Sequence, residues 1–198
     1  CGSKTIKDFN RTTKKYDAVR RCSNEGFDCE KIAIEKIKHF ISKEAMNIDG
    51  LGKKVVENFW KLNLIRFPQD IYKLDYNTIL TLEGWGDLSV SNLKYSIDQS
   101  KNVSLDRFIY AIGIRHIGIE NAKLLAEFSK SIKNFLSLIN KKKFNEFLTI
   151  DGIGEIQINS LKKFFENKSN YKIIEKLSSL LNISDIKLNR YGKLLNNT

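Results

Sequence analysis

Three cysteines lie within the first 29 residues, and their chemistry suits metal binding. Cys22 and Cys29 are separated by six residues, and Cys1 precedes a Gly-Ser pair. Thiolates in a short loop-rich segment are typical ligands of tetrahedral zinc, and zinc would explain how so small a segment folds. A structural zinc site needs four ligands, whereas the chain supplies three cysteines. The alternative is three unrelated thiols.

Glycine-centred segments recur along the rest of the chain. Eight of the 11 glycines lie in or just before four short segments, named here turns 1 to 4. The turns are residues 48–52, 82–86, 115–118 and 150–154. Their last glycines are 34, 32 and 36 residues apart, and a small or apolar residue follows each glycine four positions later. Such a period indicates an internal structural repeat.

Each turn is flanked by apolar residues at helical spacing, so each repeat is predicted to be a helix, a turn and a second helix. Glycine permits backbone angles that a side chain would forbid. The residue before the last glycine is predicted to anchor the turn in the core: Leu51, Trp85, Ile117 and Ile153. The last glycine precedes a helix N-terminus, whose free N–H groups can bind a phosphate without reading a base.

These turns define the predicted DNA contacts. They are Gly50, Gly52, Lys53, Lys54, Gly84, Gly86, His116, Gly118, Gly152 and Gly154. Lys53 and Lys54 follow turn 1 directly, where they either add charge to a phosphate site or are solvated. His116 stands where turn 3 should have its first glycine, so either this turn is distorted or His116 reaches DNA. A single copy would be explained as a glycine cap, but four in register favour DNA binding.

The charge balance agrees with a polyanionic partner. The chain has 34 lysines and arginines against 23 acidic residues, a net charge of +11, which favours nucleic acid over an anionic membrane surface. Its 41% apolar and 29% charged residues are typical of a globular protein, and no apolar run is long enough to span a bilayer. An odd number of cysteines without a secretory signal indicates a reducing compartment, so we expect a cytoplasmic protein, and DNA binding would associate it with the nucleoid.

The four turns with their flanking helices resemble the helix-hairpin-helix family, so the predicted fold class is mainly α, with four tandem helix-hairpin-helix motifs in two pairs after a partial zinc finger. Residues 1–30 form the predicted finger and residues 31–181 the helical domain, with pairs at about 31–100 and 101–181. Residues 182–198 are predicted to be a linker towards a further domain, and no strand is expected after residue 30. Because the chain begins with cysteine rather than methionine, we expect it to be a piece of a longer polypeptide.

From residue 1 to about residue 180 the chain resembles the bacterial NAD-dependent DNA ligases. The segments that carry the resemblance are residues 1–3, 19–24, 38–42, 45–52 and 111–118. The resemblance implies a four-cysteine zinc finger followed by a domain of four helix-hairpin-helix motifs. Cys1 then corresponds to the second cysteine of the finger's opening pair, and Cys22 and Cys29 to the remaining two.

The same resemblance implies a parent enzyme that seals nicks in duplex DNA, using NAD and magnesium bound by other domains. This chain would clasp double-stranded nicked DNA as a monomer and would hold no catalytic residue, since it has no Lys-x-Asp-Gly motif for adenylyl transfer. One alternative is a DNA-binding module of another repair or recombination protein. A second is a helical scaffold that does not contact DNA.

Overall fold

The structure, a computed structural model, describes residues 2–7, 9–10, 14–16, 18–23, 26–27 and 29–186. The described residues are mainly helical, as predicted. The helices are α1 Glu30–Ile41, α2 Lys53–Lys61, α3 Tyr76–Leu80, α4 Asp87–Ser100, α5 Leu105–Ala111, α6 Ile119–Ser129, α7 Ile132–Asn140, α8 Glu155–Glu166 and α9 Lys168–Leu180. Two 3-10 helices, Pro68–Lys73 and Phe144–Thr149, precede turns 2 and 4.

The described residues of the amino-terminal segment form four two-residue strands. They are β1 Thr5–Ile6, β2 Phe9–Asn10, β3 Lys15–Tyr16 and β4 Arg21–Cys22. β1 pairs with β4 and β2 with β3, both antiparallel, and the rings of Phe9 and Tyr16 pack edge-on across the inner pair with their centroids 5.0 Å apart. Phe27 joins this segment to the helical part, because its ring packs against Phe67 at 5.4 Å.

Two apolar cores form where the helical stripes face inward. The first gathers buried residues of α1, α2, α3 and α4, such as Ile37, Phe59 and Leu93. The second gathers those of α6, α7 and α8. Helix α5 separates the two cores. Its Phe108 and Ala111 belong to the first core, and its Leu105 and Ile109 belong to the second.

The last helix, α9, packs in a different core from the one that the sequence prediction implies. Residues Ile173, Ile174 and Leu177 of α9 are buried in the first core, although α9 lies within the predicted second pair at 101–181. An apolar stripe specifies which face of a helix is buried, but it carries no information about the core that receives it. The helix starts at a cap, where the Asn167 side chain accepts the N–H of Ser169 at 2.9 Å.

A short parallel strand pair also differs from the sequence prediction. Strand β5, Asn102–Ser104, pairs with β6, Asn182–Ser184. The segment predicted as linker therefore begins with an ordered strand, and the N–H of Ile186 still donates to the carbonyl oxygen of Lys130 at 2.9 Å. Strands of three residues are too short to leave an alternating pattern that a sequence reading can recognise. The rest of the predicted linker, residues 187–198, lies outside the described residues.

Candidate nucleic-acid interface

The four turns share one backbone conformation. Their third-last residues all have positive φ, and their last residues are extended helix N-caps. The positive φ values are +90° at Gly50, +82° at Gly84, +61° at His116 and +91° at Gly152. Turn 3 therefore keeps the common shape despite its histidine, because a non-glycine residue can occupy the left-handed region at some cost.

The residue between these two positions anchors each turn, as predicted. Leu51, Ile117 and Ile153 are no more than 5% exposed. Trp85 is half-buried and packs its ring 5.5 Å from that of Phe59, so it belongs to the core rather than to a base-stacking surface. Burial of this side chain fixes the direction in which the following helix N-terminus points.

The last glycine of each turn borders open space. Within the described residues, no atom lies within 4 Å of a Cβ built on Gly52, Gly86 or Gly118, and at Gly154 the nearest atom is the Gln157 Oε1 at 3.5 Å. The φ angles at these four positions lie between −63° and −121°, which any residue adopts. Neither backbone conformation nor packing therefore requires glycine at these N-caps.

Two of the first glycines, Gly50 and Gly152, behave differently, because they pack against a neighbouring repeat, whereas a Cβ on Gly84 would have no described atom within 4 Å. A Cβ on Gly50 would lie 3.3 Å from the Leu93 Cδ1 of α4, and a Cβ on Gly152 would lie 3.1 Å from the Leu124 Cδ1 of α6. The Asp49 N–H also donates to the Ser96 Oγ at 2.7 Å. Turn 1 thus rests on the helix that follows turn 2, and turn 4 rests on the helix that follows turn 3.

His116 makes a further contact between the repeats of turns 3 and 4. Its Nδ1 lies 3.0 Å from the Ser160 Oγ of α8, and its carbonyl oxygen accepts the side-chain N–H of Asn121 at 3.1 Å. The histidine thereby connects turn 3 to the helix that follows turn 4. A sequence reading does not reveal this role, since Ser160 is 44 residues away.

Basic residues are concentrated at turns 1 and 3. Turn 1 is followed by Lys53 and Lys54, and turn 3 begins with Arg115 and His116. Lys54 lines a groove of about 750 Å³ that opens between turns 1 and 2, together with Asn58, Trp85 and other residues of both turns. The Lys53 Nζ lies 3.9 Å from the Glu57 Oε1, and both side chains are exposed, so the charge of Lys53 stays available to solvent.

Glu120, which lies two residues after the last glycine of turn 3, is already paired. The Lys123 Nζ lies 2.7 Å from the Glu120 Oε1, and this hydrogen bond raises the pKa of Lys123 above its usual value. Both side chains are well exposed, so the pair contributes little to stability. It nevertheless offsets the negative charge of Glu120 beside the N-terminus of α6.

Two of the three predicted zinc ligands lie within the described residues. Cys29 is the buried N-cap of α1, and the nearby backbone N–H of Ile32 lowers the pKa of the Cys29 thiol. Burial raises that pKa by less than the Ile32 N–H lowers it, and the N–H of Lys31 and the side chain of Cys22 add smaller decreases. Cys1 lies outside the described residues, and the described residues contain no group of three metal-binding side chains.

His39 is not part of the cysteine site. It lies in the last turn of α1, at the opposite end from Cys29, and its Nε2 is 2.8 Å from the carbonyl oxygen of Tyr110. Its ring also packs edge-on against the Tyr110 ring at 4.7 Å.

Comparison with known proteins identifies the family. Residues 107–174, which contain turns 3 and 4, match the family model of the helix-hairpin-helix motif. The whole chain is 61% identical, over 199 aligned residues, to a DNA ligase of Pelagibacter ubique. The chain belongs to the DNA ligase family. Identity to the DNA ligases of Rickettsia bellii and Rickettsia canadensis is 42% and 43%, over 88% and 86% of the chain.

The chain covers less than a third of each of these relatives: 29% of the Pelagibacter ligase, 27% of the Rickettsia bellii ligase and 26% of the Rickettsia canadensis ligase. Among the described residues of this ligase-family chain, no helix combines the length and apolar character needed to cross a membrane.

Proposed function

We propose that this chain is the DNA-binding portion of an NAD-dependent DNA ligase that seals nicks in duplex DNA. In this proposal, turns 1 to 4 form four helix-hairpin-helix motifs in two pairs, and they clasp the duplex around the nick without reading its sequence. The contacts between turn 1 and α4, and between turn 4 and α6, support the grouping of turns 1 with 2 and 3 with 4.

One observation provides the main support for the proposal. All four helices that follow the turns begin at a glycine that the fold does not require. Serine, threonine, asparagine or aspartate would cap a helix as well or better, because their side chains accept an N–H of the first turn. Glycine at such a position is explained when another molecule approaches the backbone closely, as a DNA strand does at a helix N-terminus.

The charge distribution supports phosphate contacts at turns 1 and 3 in particular. Lys53 and Lys54 follow Gly52, and within the described chain no side chain accepts a hydrogen bond from the N–H of Gly52 or Gly118. Open N–H groups at the positive end of a helix dipole attract anions. The net charge of +11 adds a long-range attraction to DNA.

The cofactors of the parent enzyme are part of the same proposal. NAD and magnesium would be bound by other domains of the ligase, where a lysine receives the adenylyl group. Zinc would be bound by Cys1, Cys22, Cys29 and one further cysteine of the parent. The backbone N–H groups of Ile32 and Lys31 lower the pKa of the Cys29 thiol and so favour its thiolate form, which is the form that binds zinc. Zinc would stabilise the small strand segment and would take no part in ligation.

Two other functions remain as alternatives, and the family relationship weighs against both. A module of another repair protein would not be expected to share 61% identity with a DNA ligase over the whole chain. A purely structural scaffold would not need open helix N-termini with glycine caps.

A binding titration tests the proposal. Fluorescence anisotropy of the chain with nicked duplexes of two unrelated sequences should give affinities that fall steeply with salt, because phosphate contacts release counterions. The two sequences should bind within about tenfold of each other, or about 1.4 kcal/mol. Absence of salt-dependent binding would favour the scaffold, and a larger sequence preference would contradict recognition by phosphates alone.

A further inference from the structure

Turns 2 and 4 share a nine-residue pattern that turns 1 and 3 lack. In residues 82–90 and 150–158 the order is apolar, acidic, glycine, apolar, glycine, acidic, aliphatic, polar, aliphatic. Neither segment contains a lysine or an arginine. The corresponding positions of turn 1 hold Lys53 and Lys54, and those of turn 3 include Arg115. The four turns therefore fall into two chemical classes that alternate along the chain.

The N-cap N–H groups of turns 2 and 4 are already hydrogen-bonded. The Gly86 N–H donates to the Ser89 Oγ at 2.9 Å, and the Gly154 N–H donates to the Gln157 Oε1 at 3.1 Å. In both helices the residue after the glycine is acidic. A carboxylate at this position interacts favourably with the helix dipole and repels a phosphate. These two N-termini are therefore stabilised within the chain itself.

Beside each of these N-termini an aliphatic side chain projects into solvent. Leu88 is 76% exposed and Ile156 is 46% exposed, and both occupy the second position of their helices. Their equivalence in the repeat means that the exposure recurs at the same place relative to the turn. Exposed single apolar residues are common on protein surfaces, but two at matched positions beside a proposed DNA-binding turn call for a shared explanation.

We propose that Leu88 and Ile156 contact deoxyribose rings of the bound DNA. The faces of these sugars are neutral and largely apolar, so they accept an aliphatic side chain where the neighbouring carboxylates disfavour a phosphate. Each pair of turns then has one member that binds phosphate through open N–H groups and one member that packs against sugars. This inference rests on the proposed DNA-binding function and assigns different contacts to its two classes of turn.

The test compares aliphatic and glycine variants in the same titration. Leu88→Ser, Ile156→Thr and the double variant should keep the helical circular dichroism spectrum, because both side chains are exposed. The double variant should bind nicked duplex about fivefold or more weakly, because less apolar area is buried against the sugars. The slope of log affinity against log salt should stay that of the wild type, since every phosphate contact remains. Leu62→Ser is the matched control, because Leu62 is 45% exposed at the far end of α2.

Gly52→Asp, measured in parallel, should both weaken binding and reduce the salt slope by about 0.9 for each phosphate that the variant no longer binds. If this variant binds weakly while the Leu88 and Ile156 variants bind like the wild type, the sugar contacts are refuted and the proposed DNA-binding function stands. A reduced salt slope in the double aliphatic variant would also refute them. Failure of the wild-type chain to bind DNA at all would instead overturn the proposed function.

Discussion

Arg107 of α5 donates from its Nε to the carbonyl oxygen of Ala45 at 2.9 Å, across 62 residues of sequence. Its Nη2 also donates to the carbonyl oxygen of Lys43 at 2.6 Å. This side chain thereby joins the segment before turn 1 to the helix before turn 3. Close by, a Cβ on Gly113 would lie only 3.2 Å from the His39 Cδ2, so the backbone after α5 approaches α1 closely. Together these contacts set the position of one half of the helical domain relative to the other.

Replacement of Arg107 should therefore weaken the contact between the two halves of the helical domain. Arg107→Met should lower the free energy of unfolding by about 1–3 kcal/mol, because two carbonyl oxygens are deprived of a charged hydrogen-bond donor. Urea denaturation followed by circular dichroism measures the change. Lys61→Met, at an exposed position in the last turn of α2, is the control for removal of a positive charge. An unfolding midpoint equal to that of the wild type would show that the stability of the contact between the two halves does not depend on Arg107.

The two glycines of turn 1 should respond differently to substitution. Gly52→Asp should abolish most duplex binding while the fold is kept, since its φ of −63° is ordinary and its Cβ has room. Gly50→Ala should instead destabilise the fold by about 1–2 kcal/mol, because left-handed backbone is unfavourable for alanine and its Cβ would press on Leu93. Thermal melts and DNA titrations separate the two effects.

The corresponding substitution in turn 3 tests the same prediction at a second site. Gly118→Asp places a carboxylate at an N-cap that has equal space and an open N–H. If Gly52→Asp and Gly118→Asp both bind DNA like the wild type, turns 1 and 3 do not contact phosphate.

Zinc binding should differ between this chain and the longer parent ligase, because the parent would supply the fourth cysteine. With Cys1, Cys22 and Cys29 alone, we expect weak zinc binding, or zinc with water as its fourth ligand, whereas the parent ligase should hold one zinc ion per chain. Elemental analysis of both proteins after dialysis against a weak chelator gives the stoichiometry. Cys29→Ser in the parent is the variant expected to release the metal. Tight stoichiometric zinc in the 198-residue chain would reveal a fourth ligand within it.

The chain by itself should not react with NAD. Adenylyl transfer needs a lysine in a nucleotide pocket close to metal-binding carboxylates, and no lysine of the chain stands in a Lys-x-Asp-Gly motif. Incubation with NAD labelled in its adenylyl group and with magnesium should leave the protein unlabelled, while the parent ligase serves as the positive control. A covalent adduct on the chain, or a sealed nick, would demonstrate an active site that neither sequence nor fold has indicated.

Local chemistry made the turns and their anchors predictable from the sequence. Glycine spacing identified all four turns, and the apolar residue of each turn proved to be buried or half-buried, as at Leu51 and Trp85. The requirement for positive φ and the need of a helix start for an extended N-cap act within a few residues, so a sequence carries them directly. The same logic could have identified Ser89 and Gln157 as caps, because each lies three residues after an N-cap glycine.

Only the tertiary structure decided which distant elements meet. The return of α9 to the first core, the pairing of β5 with β6, and the contact between His116 and Ser160 all join residues far apart in sequence. Periodicity marks the face of a helix that will be buried, but the partner of that face depends on the packing of the whole chain. For the same reason the exposure of Leu88 became visible only once its neighbours were in place, since an aliphatic residue in a helix is expected to lie inside until packing leaves it without a partner.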